Sequence, residues 1–235
     1  MTVVSRLEWD SSFFGFPIGR ADISGAASLD FADAFRGSAF RLVYAFAPDG
    51  ALSSECRSRL AAAGGVLMDV RTVYRKALPP SAAMPSGVVK AVAVTPDMER
   101  LAEESGVCSR FMKDPLLRPR AAAMYRRWIA RDFARGAVLI RPGDDGIDGL
   151  VTISACGGEG HVGLLAVDRS SRGRGVGRLL VAAAEAWCLS CGAAECKIVT
   201  QDANAPARSL YERCGFAIDS RTEVWHVRND GGTVK

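Results

Sequence analysis

The chain carries one unusually informative segment, which runs Leu164-Leu-Ala-Val167-Asp-Arg-Ser-Ser-Arg172-Gly-Arg-Gly175-Val-Gly177-Arg178-Leu-Leu. An apolar strand ends at Val167, a turn of arginine and glycine follows, and an amphipathic helix begins near Gly175. Glycine has no Cβ, so the backbone N–H groups of such a turn can converge on one point. At a helix N-terminus these groups are unpaired and the helix dipole is positive, which favours a bound pyrophosphate. The segment therefore predicts a phosphate-binding turn, to which Arg172, Arg174 and Arg178 add positive charge.

This turn differs from two common nucleotide-binding motifs. A dinucleotide motif Gly-x-Gly-x-x-Gly could start at Gly173 and Gly175, but its third glycine would fall on Arg178. A P-loop needs Gly-Lys followed by Ser or Thr, and the segment contains no such sequence. The pattern therefore disfavours a Rossmann site and excludes a P-loop.

On both sides of the turn, strands alternate with helices. Downstream of residue 87 the hydrophobic spacing predicts strands over 88–94, 137–141, 147–155, 160–167, 195–200 and 216–228, and helices over 119–134, 175–191 and 204–214. Another helix opens at Thr95-Pro96, an N-cap followed by proline at the first helical position. Upstream, strands are predicted over 17–23, 41–46 and 66–78, and helical patterns over 28–38 and 51–63. Three prolines within residues 79–87 cannot hold a regular element, so we expect a domain boundary there.

Two motifs resemble those of a known enzyme family. Arg172-x-x-Gly175-x-Gly177, directly after a strand, resembles the acetyl-CoA signature of the GCN5-related N-acetyltransferases (GNAT). Asn204-Ala-Pro-Ala207-Arg-Ser-Leu-Tyr211-Glu-Arg-Cys-Gly215-Phe216 resembles the second signature of that family, and the match covers about residues 87–228. The resemblance implies an α/β fold with a mixed sheet. It makes residues 87–230 the catalytic domain and residues 1–80 a smaller, truncated acetyltransferase-like domain.

The N-terminal part of the sequence resembles one particular family within these acetyltransferases. Leu7-Glu-Trp9-Asp-Ser-Ser-Phe13-Phe14-Gly15, followed by Ile18-Gly-Arg20, is similar to the opening of the TDP-fucosamine acetyltransferases. That family acetylates the 4-amino group of a dTDP-linked 4-amino-4,6-dideoxygalactose for surface polysaccharide. The resemblance thus implies a nucleotide-linked amino-deoxy sugar as acceptor and acetyl-CoA as acyl donor, with no metal.

The resemblance also assigns coenzyme-binding residues. The turn would hold the pyrophosphate, and the strand before it would splay from its neighbour and offer its backbone to the pantetheine. A backbone N–H near Leu165 or Ala166 would polarise the thioester carbonyl. Asn204 would bond the pantetheine arm or cap the following helix, and both roles can hold together. The full set is Leu165, Ala166, Val167, Arg172, Gly173, Arg174, Gly175, Val176, Gly177, Arg178 and Asn204.

Catalytic roles follow from the same resemblance. Tyr211 occupies the place of the family's general acid, and a phenol can protonate a departing thiolate. His161 lies on the signature strand where histone-type relatives hold a glutamate base, and imidazole titrates near neutral pH. One step of strand register decides whether His161 faces the cleft. Glu159 or an ordered water are the alternatives for the base, and for Tyr211 the alternative is simple packing.

Two residues are candidates for binding the acceptor. Arg110 lies on the loop between the first two helices, which lines the acceptor cleft in this fold, and arginine suits phosphate oxygens. Phe14 belongs to the N-terminal motif. The alternatives are a solvated loop arginine and a residue of the hydrophobic core.

Composition limits the remaining possibilities. The 235 residues are 49% hydrophobic and 24% charged, and the net charge of +4 is spread evenly, so the basic patch of a nucleic-acid binder is missing. No apolar run approaches the ~20 residues of a membrane helix. The Cys188-x-x-Cys191 pair lacks a second pair at zinc spacing, and we expect most of the seven cysteines to be buried apolar residues in a reducing cytoplasm. The oligomeric state stays open, with a homodimer as one alternative.

Three functions therefore compete: acetylation of a nucleotide-linked amino sugar, acetylation of another small amine or of a protein N-terminus, and CoA binding without turnover. Tyr211 and the complete first signature oppose the third. The loop over residues 108–119 is basic rather than acidic, which favours an anionic acceptor.

Overall fold

A computed structural model describes residues 4–23, 39–135 and 138–229. Along the chain the elements are β1 (Ser5–Arg6), α1 (Glu8–Phe14), β2 (Ile18–Asp22), β3 (Leu42–Pro48), α2 (Ser54–Ala62), β4 (Gly65–Ala77), β5 (Val89–Lys90), α3 (Pro96–Ser105), α4 (Arg110–Lys113), α5 (Arg118–Ala134), β6 (Val138–Gly143), β7 (Gly146–Cys156), β8 (Glu159–Val167), α6 (Val176–Ser190), β9 (Glu195–Gln201), α7 (Ala205–Arg213) and β10 (Ala217–Arg228). The fold is mixed α/β, as expected. The helix predicted over 28–38 lies outside the described residues.

Two compact units make up the chain. The first contains residues 1–72, 201–203 and 220–235, and the second contains residues 73–200 and 204–219. The boundary between the two compact units therefore lies after residue 72, whereas the sequence predicted a domain boundary within residues 79–87. The interpretation of residues 1–80 as a truncated acetyltransferase-like domain, and of residues 87–230 as the catalytic domain, stays a prediction.

In the first unit the strands follow the order β1-β2-β3-β10-β4. β2 pairs with β3 in parallel, whereas β3 pairs with the second half of β10 antiparallel, from Thr222↔Pro48 to Arg228↔Leu42. Apolar side chains from these strands and from α2 form one core, which includes Ala21, Val43, Leu60, Trp225 and Val227.

In the second unit the order is β4-β9-β8-β7-β6-β5. β5 to β8 pair antiparallel with their neighbours, and β8 pairs with β9 in parallel. α6 packs on β6, β7 and β8 and buries an apolar face that includes Val176, Leu180 and Ala184. α3 packs on β7, β8 and α5. Thr95 caps α3 by accepting from the Met98 N–H at 3.3 Å, with proline at the first helical position, as the sequence predicts.

A β-bulge in β8 reverses which side chains face the core. Val151 of β7 pairs with Leu165 and Ile153 pairs with Val162, so Gly163 and Leu164 together oppose the single residue Thr152. The Thr152 hydroxyl accepts from the Leu164 N–H at 2.9 Å and so satisfies the amide that the bulge displaces. Val162 belongs to the core under α6, and Leu165, three residues on, packs against the same core. A regular strand alternates its faces every residue, so only the bulge allows this spacing.

Some predicted elements differ from the observed ones. The strand expected over 88–94 forms only at Val89–Lys90, and α1 and α4 had no counterpart in the sequence prediction. Of the seven free cysteines, Cys56, Cys188 and Cys196 are buried, whereas Cys156 and Cys191 are exposed, so the expectation that most are buried is wrong. Among the described residues, no helix combines the length and apolarity that a membrane span requires.

Candidate active site

The site begins where β8 and β9 separate. Their parallel pairing runs from Glu159↔Glu195 to Val162↔Ile198 and stops there. Beyond that point β8 pairs on its other side only, with Leu165, Ala166 and Val167 opposite Val151, Leu150 and Gly149 of β7. One backbone edge of β8 is therefore open over Leu165–Val167, which is the splay that the resemblance implies.

The glycine turn follows directly on this open edge. Gly173 and Gly175 have φ angles of 76° and 84°, in the left-handed region that favours glycine, and Gly175 is the N-cap of α6 without a side-chain cap. The backbone N–H groups of Val176, Gly177 and Arg178 lie in the first turn of α6, where the amides of a helix have no acceptor within the helix. Together with the preceding glycine turn, these donors at the N-terminus of a 15-residue helix form a site suited to an anion.

The three arginines of the turn are not equivalent. Arg172 donates through Nε to the Val167 carbonyl at 3.1 Å and lies 3.6 Å from the Glu104 carboxylate. Arg174 and Arg178 are exposed, and neither forms an ion pair with any other residue that the structure describes. Arg172 thus ties the turn to β8 and α3, whereas Arg174 and Arg178 keep their charge available.

A short 3-10 helix, Arg169–Ser171, connects β8 to the turn and is fixed by Asp168. The Asp168 carboxylate accepts from the Ser170 N–H at 2.9 Å and the Ser170 hydroxyl at 2.6 Å, and from Arg100 of α3 at 2.8 Å. These bonds lower the pKa of Asp168 to about 2. The carboxylate therefore stays ionised, and it keeps the start of the turn in place across the physiological range.

Tyr211 lies on α7 with its ring in the core of the second unit. It is 4% exposed and packs edge-on against Tyr74, with ring centroids 5.7 Å apart, and against Phe216. Burial raises the pKa of the Tyr211 phenol above its ordinary value, so the hydroxyl stays protonated. No residue of the described chain shares a hydrogen bond with that hydroxyl. Asn204 caps α7, accepting from the Ala207 N–H at 3.4 Å, so its capping role is present.

Three polar contacts that sequence reasoning missed hold the surroundings of Tyr211. The Tyr74 hydroxyl donates to Glu212 of α7 at 2.9 Å. Lys76 of β4 donates to Glu185 of α6 at 2.7 Å and to the Cys214 carbonyl at 2.8 Å, and Glu185 is only 8% exposed. The partners in these contacts are separated along the sequence by more than one element, so no local sequence pattern predicts the contacts.

His161 lies on β8, on the face opposite Val162. Its side chain is 46% exposed, and Nε2 lies 3.5 Å from the Glu159 carboxylate. Glu159 is held by Lys197 at 2.8 Å, and this hydrogen bond lowers the pKa of its carboxyl below the ordinary value. Glu159 is thus a weaker base than an ordinary carboxylate, which favours His161 among the two side chains proposed for the base.

His161 also lines a shallow pocket of about 100 Å³. Its other lining residues are Arg131, Asp132 and Arg135 of α5, Thr152, Ile153 and Ser154 of β7, and Gly163 in the bulge. Sequence reasoning missed Asp132, since a single aspartate in an Arg-rich amphipathic helix carries no distinguishing signal.

The two acceptor candidates lie in different units. Arg110 is the first residue of α4 in the second unit, and its guanidinium lies 4.2 Å from the centroid of the Phe111 ring. Phe14 ends α1 in the first unit, is 5% exposed, and packs edge-on against Phe13. Phe14 is thus part of a hydrophobic cluster, and its contribution to an acceptor site stays a prediction.

Comparisons with solved structures support the fold. A conserved protein of unknown function from Staphylococcus epidermidis matches with a TM-score of 0.67 at 11% identity, over 97% of this chain and 91% of that one. A GCN5-related N-acetyltransferase from Kribbella flavida matches with a TM-score of 0.54 at 18% identity, over 100% and 91%. Another from Sphaerobacter thermophilus has a TM-score of 0.50 and 21% identity, and the match covers 80% of this chain but only 60% of that protein's length.

Sequence comparisons settle the family. None of the curated protein sequences matches the chain. The model of the acetyltransferase (GNAT) family, in contrast, matches residues 98–216, half of the chain, and the match includes the open edge of β8, the glycine turn and Tyr211. The chain therefore belongs to the GNAT family of N-acetyltransferases, whose members transfer an acyl group from acetyl-CoA.

Proposed function

We propose that the chain transfers the acetyl group of acetyl-CoA to the amino group of a nucleotide-linked amino-deoxy sugar, of the dTDP-4-amino-4,6-dideoxyhexose type. The observation that carries the acyl-transfer part is the glycine turn that leads into the N-terminus of α6, next to the open edge of β8. An extended thioester donor with a pyrophosphate needs both features side by side.

Each part of the site has a defined task in coenzyme binding. The N–H groups of the turn bind the pyrophosphate, and Arg174 and Arg178 supply charge. The backbone of Leu165, Ala166 and Val167 pairs with the pantetheine amides. Val176 and Gly177 contribute their N–H groups from the first turn of α6, while Arg172 shapes the turn.

The chemistry divides among three groups. His161 takes a proton from the acceptor's ammonium group, which leaves a neutral amine that can attack the thioester carbonyl. A backbone N–H of Leu165 or Ala166 stabilises the oxyanion of the tetrahedral intermediate. As the intermediate collapses, Tyr211 gives its proton to the sulfur of the departing CoA, and the products are the acetamide and CoA thiol.

Two features support an anionic sugar nucleotide as acceptor. The segment Leu7–Arg20 resembles that of the TDP-fucosamine acetyltransferases and includes Phe14. The loop and helix start over residues 108–119 carry Arg110, Lys113 and Arg118, which suit the phosphates of a nucleotide. Such an acceptor belongs to polysaccharide biosynthesis.

A mass-spectrometric screen tests this proposal. The purified chain is incubated with acetyl-CoA and a panel of amines: dTDP-linked amino-deoxy sugars, aminoglycosides, polyamines and peptides with free N-termini. We expect one acetyl group to be gained by the dTDP-linked amino sugars and far slower transfer to the rest. Preferred transfer to another amine or to a peptide N-terminus would replace the proposed acceptor. Binding of acetyl-CoA without transfer to any amine would reduce the function to coenzyme binding.

A further inference from the structure

We propose that Asp132 binds the ammonium group of the acceptor and positions it for deprotonation by His161. The juxtaposition that carries the proposal is one pocket that brings together Asp132, His161 and Gly163 at the point where β8 parts from β9. The inference rests on the proposed function, because it assigns the amine-binding part of that same site.

The Asp132 carboxylate is fixed and only partly satisfied by its neighbour. Its side chain is 13% exposed, and Arg131 donates to the Oδ1 atom through Nε at 3.0 Å and Nη2 at 2.9 Å. Oδ2 points the other way, since a Cβ built on Gly163 would lie 3.4 Å from it. Arg131 thus sets the orientation of the carboxylate, and Oδ2 is presented to the bulge of β8.

Gly163 supplies the space for a ligand at this place. A side chain there would meet the Thr152 hydroxyl oxygen at 2.6 Å as well as Oδ2, so a Cβ would fill the gap between α5 and the sheet. Gly163 directly follows Val162, the last residue of β8 that is paired with β9. A group bound to Oδ2 therefore lies at the beginning of the open edge that leads to Leu165 and Ala166.

The pocket's size and charge define the part of the acceptor that enters. A volume of about 100 Å³ takes an ammonium group and the few atoms next to it, not a whole sugar nucleotide. Arg131 and Arg135 line the same pocket, and their guanidinium groups suit an anionic substituent elsewhere on the acceptor. The pocket therefore fits an amine that belongs to an otherwise anionic molecule.

The roles of the two titratable side chains are distinct. The ammonium donates a hydrogen bond to Asp132 and a proton to His161, and the neutral amine then attacks the thioester carbon. Asp132 accepts a hydrogen bond in this step and exchanges no proton. It is a positioning residue that selects a cationic group, and a hydroxyl in place of the amine gains much less from it.

The test compares an amine with its hydroxyl analogue. The substrate is dTDP-4-amino-4,6-dideoxygalactose, and the inhibitor is dTDP-6-deoxygalactose, which carries a hydroxyl at the same carbon. The variant Asp132→Asn is compared with Glu103→Gln, which also removes a carboxylate paired with an arginine of α5, Arg126 at 2.9 Å. A hydrogen bond to a charged group is commonly worth a factor of about ten or more in affinity.

We expect Asp132→Asn to raise the acceptor's KM about tenfold or more. The inhibition constant of the hydroxyl analogue and the Kd of acetyl-CoA should change less than about threefold, and Glu103→Gln should change none of them. If Asp132→Asn loses affinity equally for the amine and for the hydroxyl analogue, or for neither, the role of Asp132 is wrong. The proposed function is judged separately, by whether the wild-type chain acetylates the sugar. If the wild type acetylates a different amine, the same comparison is made with that amine and its hydroxyl analogue, and it decides on Asp132 separately. If no amine is acetylated, both proposals are wrong.

Discussion

Tyr211 combines a ring that packs in the core with a hydroxyl that shares no hydrogen bond with the described part of the chain. If that hydroxyl protonates the CoA thiolate, Tyr211→Phe removes the acid and keeps the packing. We expect kcat to fall about a hundredfold, within the factor of 10²–10⁴ typical of a positioned acid. The Kd of acetyl-CoA, measured by calorimetry, should change less than about threefold, because the bond to sulfur strengthens only as charge develops there.

The pH dependence adds a second criterion for Tyr211. Burial raises the pKa of the Tyr211 phenol above its ordinary value near 10. The hydroxyl therefore keeps its proton at every pH up to that value and somewhat above it. The wild-type rate should therefore show no alkaline fall from this group as pH rises to about 9. The control is Tyr211→Ala, which should lose about 3–5 kcal/mol of stability. Wild-type kcat in Tyr211→Phe, when chemistry limits the rate, would reduce Tyr211 to a packing residue.

His161 is the second residue with a separable role. His161→Gln keeps a polar side chain of similar size but cannot take the amine proton. We expect kcat/KM to fall, because the group that takes the amine proton is removed. Glu159→Gln is the matched control, since Glu159 is the other candidate base and contacts both His161 and Lys197. If kcat/KM is retained in His161→Gln and falls in Glu159→Gln, the assignment of the base is reversed.

Single residues were predictable only where a motif marked them. The second signature pointed to Tyr211 and Asn204, and the cap at Asn204 is present. The sequence did not predict roles for Asp132, Lys76 and Glu185, because each acts through a contact between elements that are far apart in sequence. Alternation counted back from Leu165 would place His161 on the core side, because it does not include the extra residue that the bulge adds between Val162 and Leu165.

Among the elements, the turn before α6 allows a controlled test of coenzyme binding. Gly175 and Gly192, on either side of α6, have φ angles of 84° and 79°, and a Cβ at either would meet no atom within 4 Å. Alanine at either position should therefore cost similar backbone strain, about 1–2 kcal/mol. Gly175→Ala additionally turns the converging N–H groups away from their common point. We expect the Kd of acetyl-CoA to rise at least tenfold, about 1.4 kcal/mol, in that variant alone.

Calorimetric titration of the two glycine variants gives the Kd of acetyl-CoA, and thermal melting gives their stability. Equal stability losses with a loss of affinity in Gly175→Ala only would support the turn as the pyrophosphate site. Unchanged affinity in a folded Gly175→Ala protein would remove the site from the turn. Gly177 is less suitable for this test, because a Cβ there would lie 3.0 Å from Leu210 of α7 and disturb packing as well.

Most long elements could be predicted, since apolar spacing and caps mark them. α3 carries its Thr95-Pro96 start, and α5, α6 and β7 to β10 lie within a few residues of their expected bounds. The helix α1 was missed because Leu7, its N-cap, offers no side-chain hydrogen bond and seven residues are too few for a periodic pattern. The strand at 88–94 shrinks to Val89–Lys90, because only these residues find a partner, in β6.

At the scale of the whole molecule, the sequence and the structure divide the chain differently. The prolines of residues 79–87 suggested a boundary, yet β4, which precedes them, gives Tyr74 to the core of the second unit. β10 continues from the second unit into the first, where Val224 and Val227 are fully buried. Prolines in the sequence show where regular structure is interrupted. They do not show which strands a given strand will pair with, because those partners lie far away in the sequence.

This difference predicts the behaviour of a fragment. Residues 87–235, which contain both family signatures, lack Tyr74 and Lys76. Loss of a buried aromatic side chain costs about 3–5 kcal/mol. The fragment also loses the partly buried ion pair between Lys76 and Glu185. Against a typical total stability of 5–15 kcal/mol, we expect the fragment to be largely unfolded at 25 °C and unable to bind acetyl-CoA. Circular dichroism melting and calorimetry measure both properties, with Tyr74→Ala and Lys76→Met in the full chain as controls that should each lower Tm. A fragment that melts cooperatively and binds acetyl-CoA as the full chain does would restore the boundary at residues 79–87.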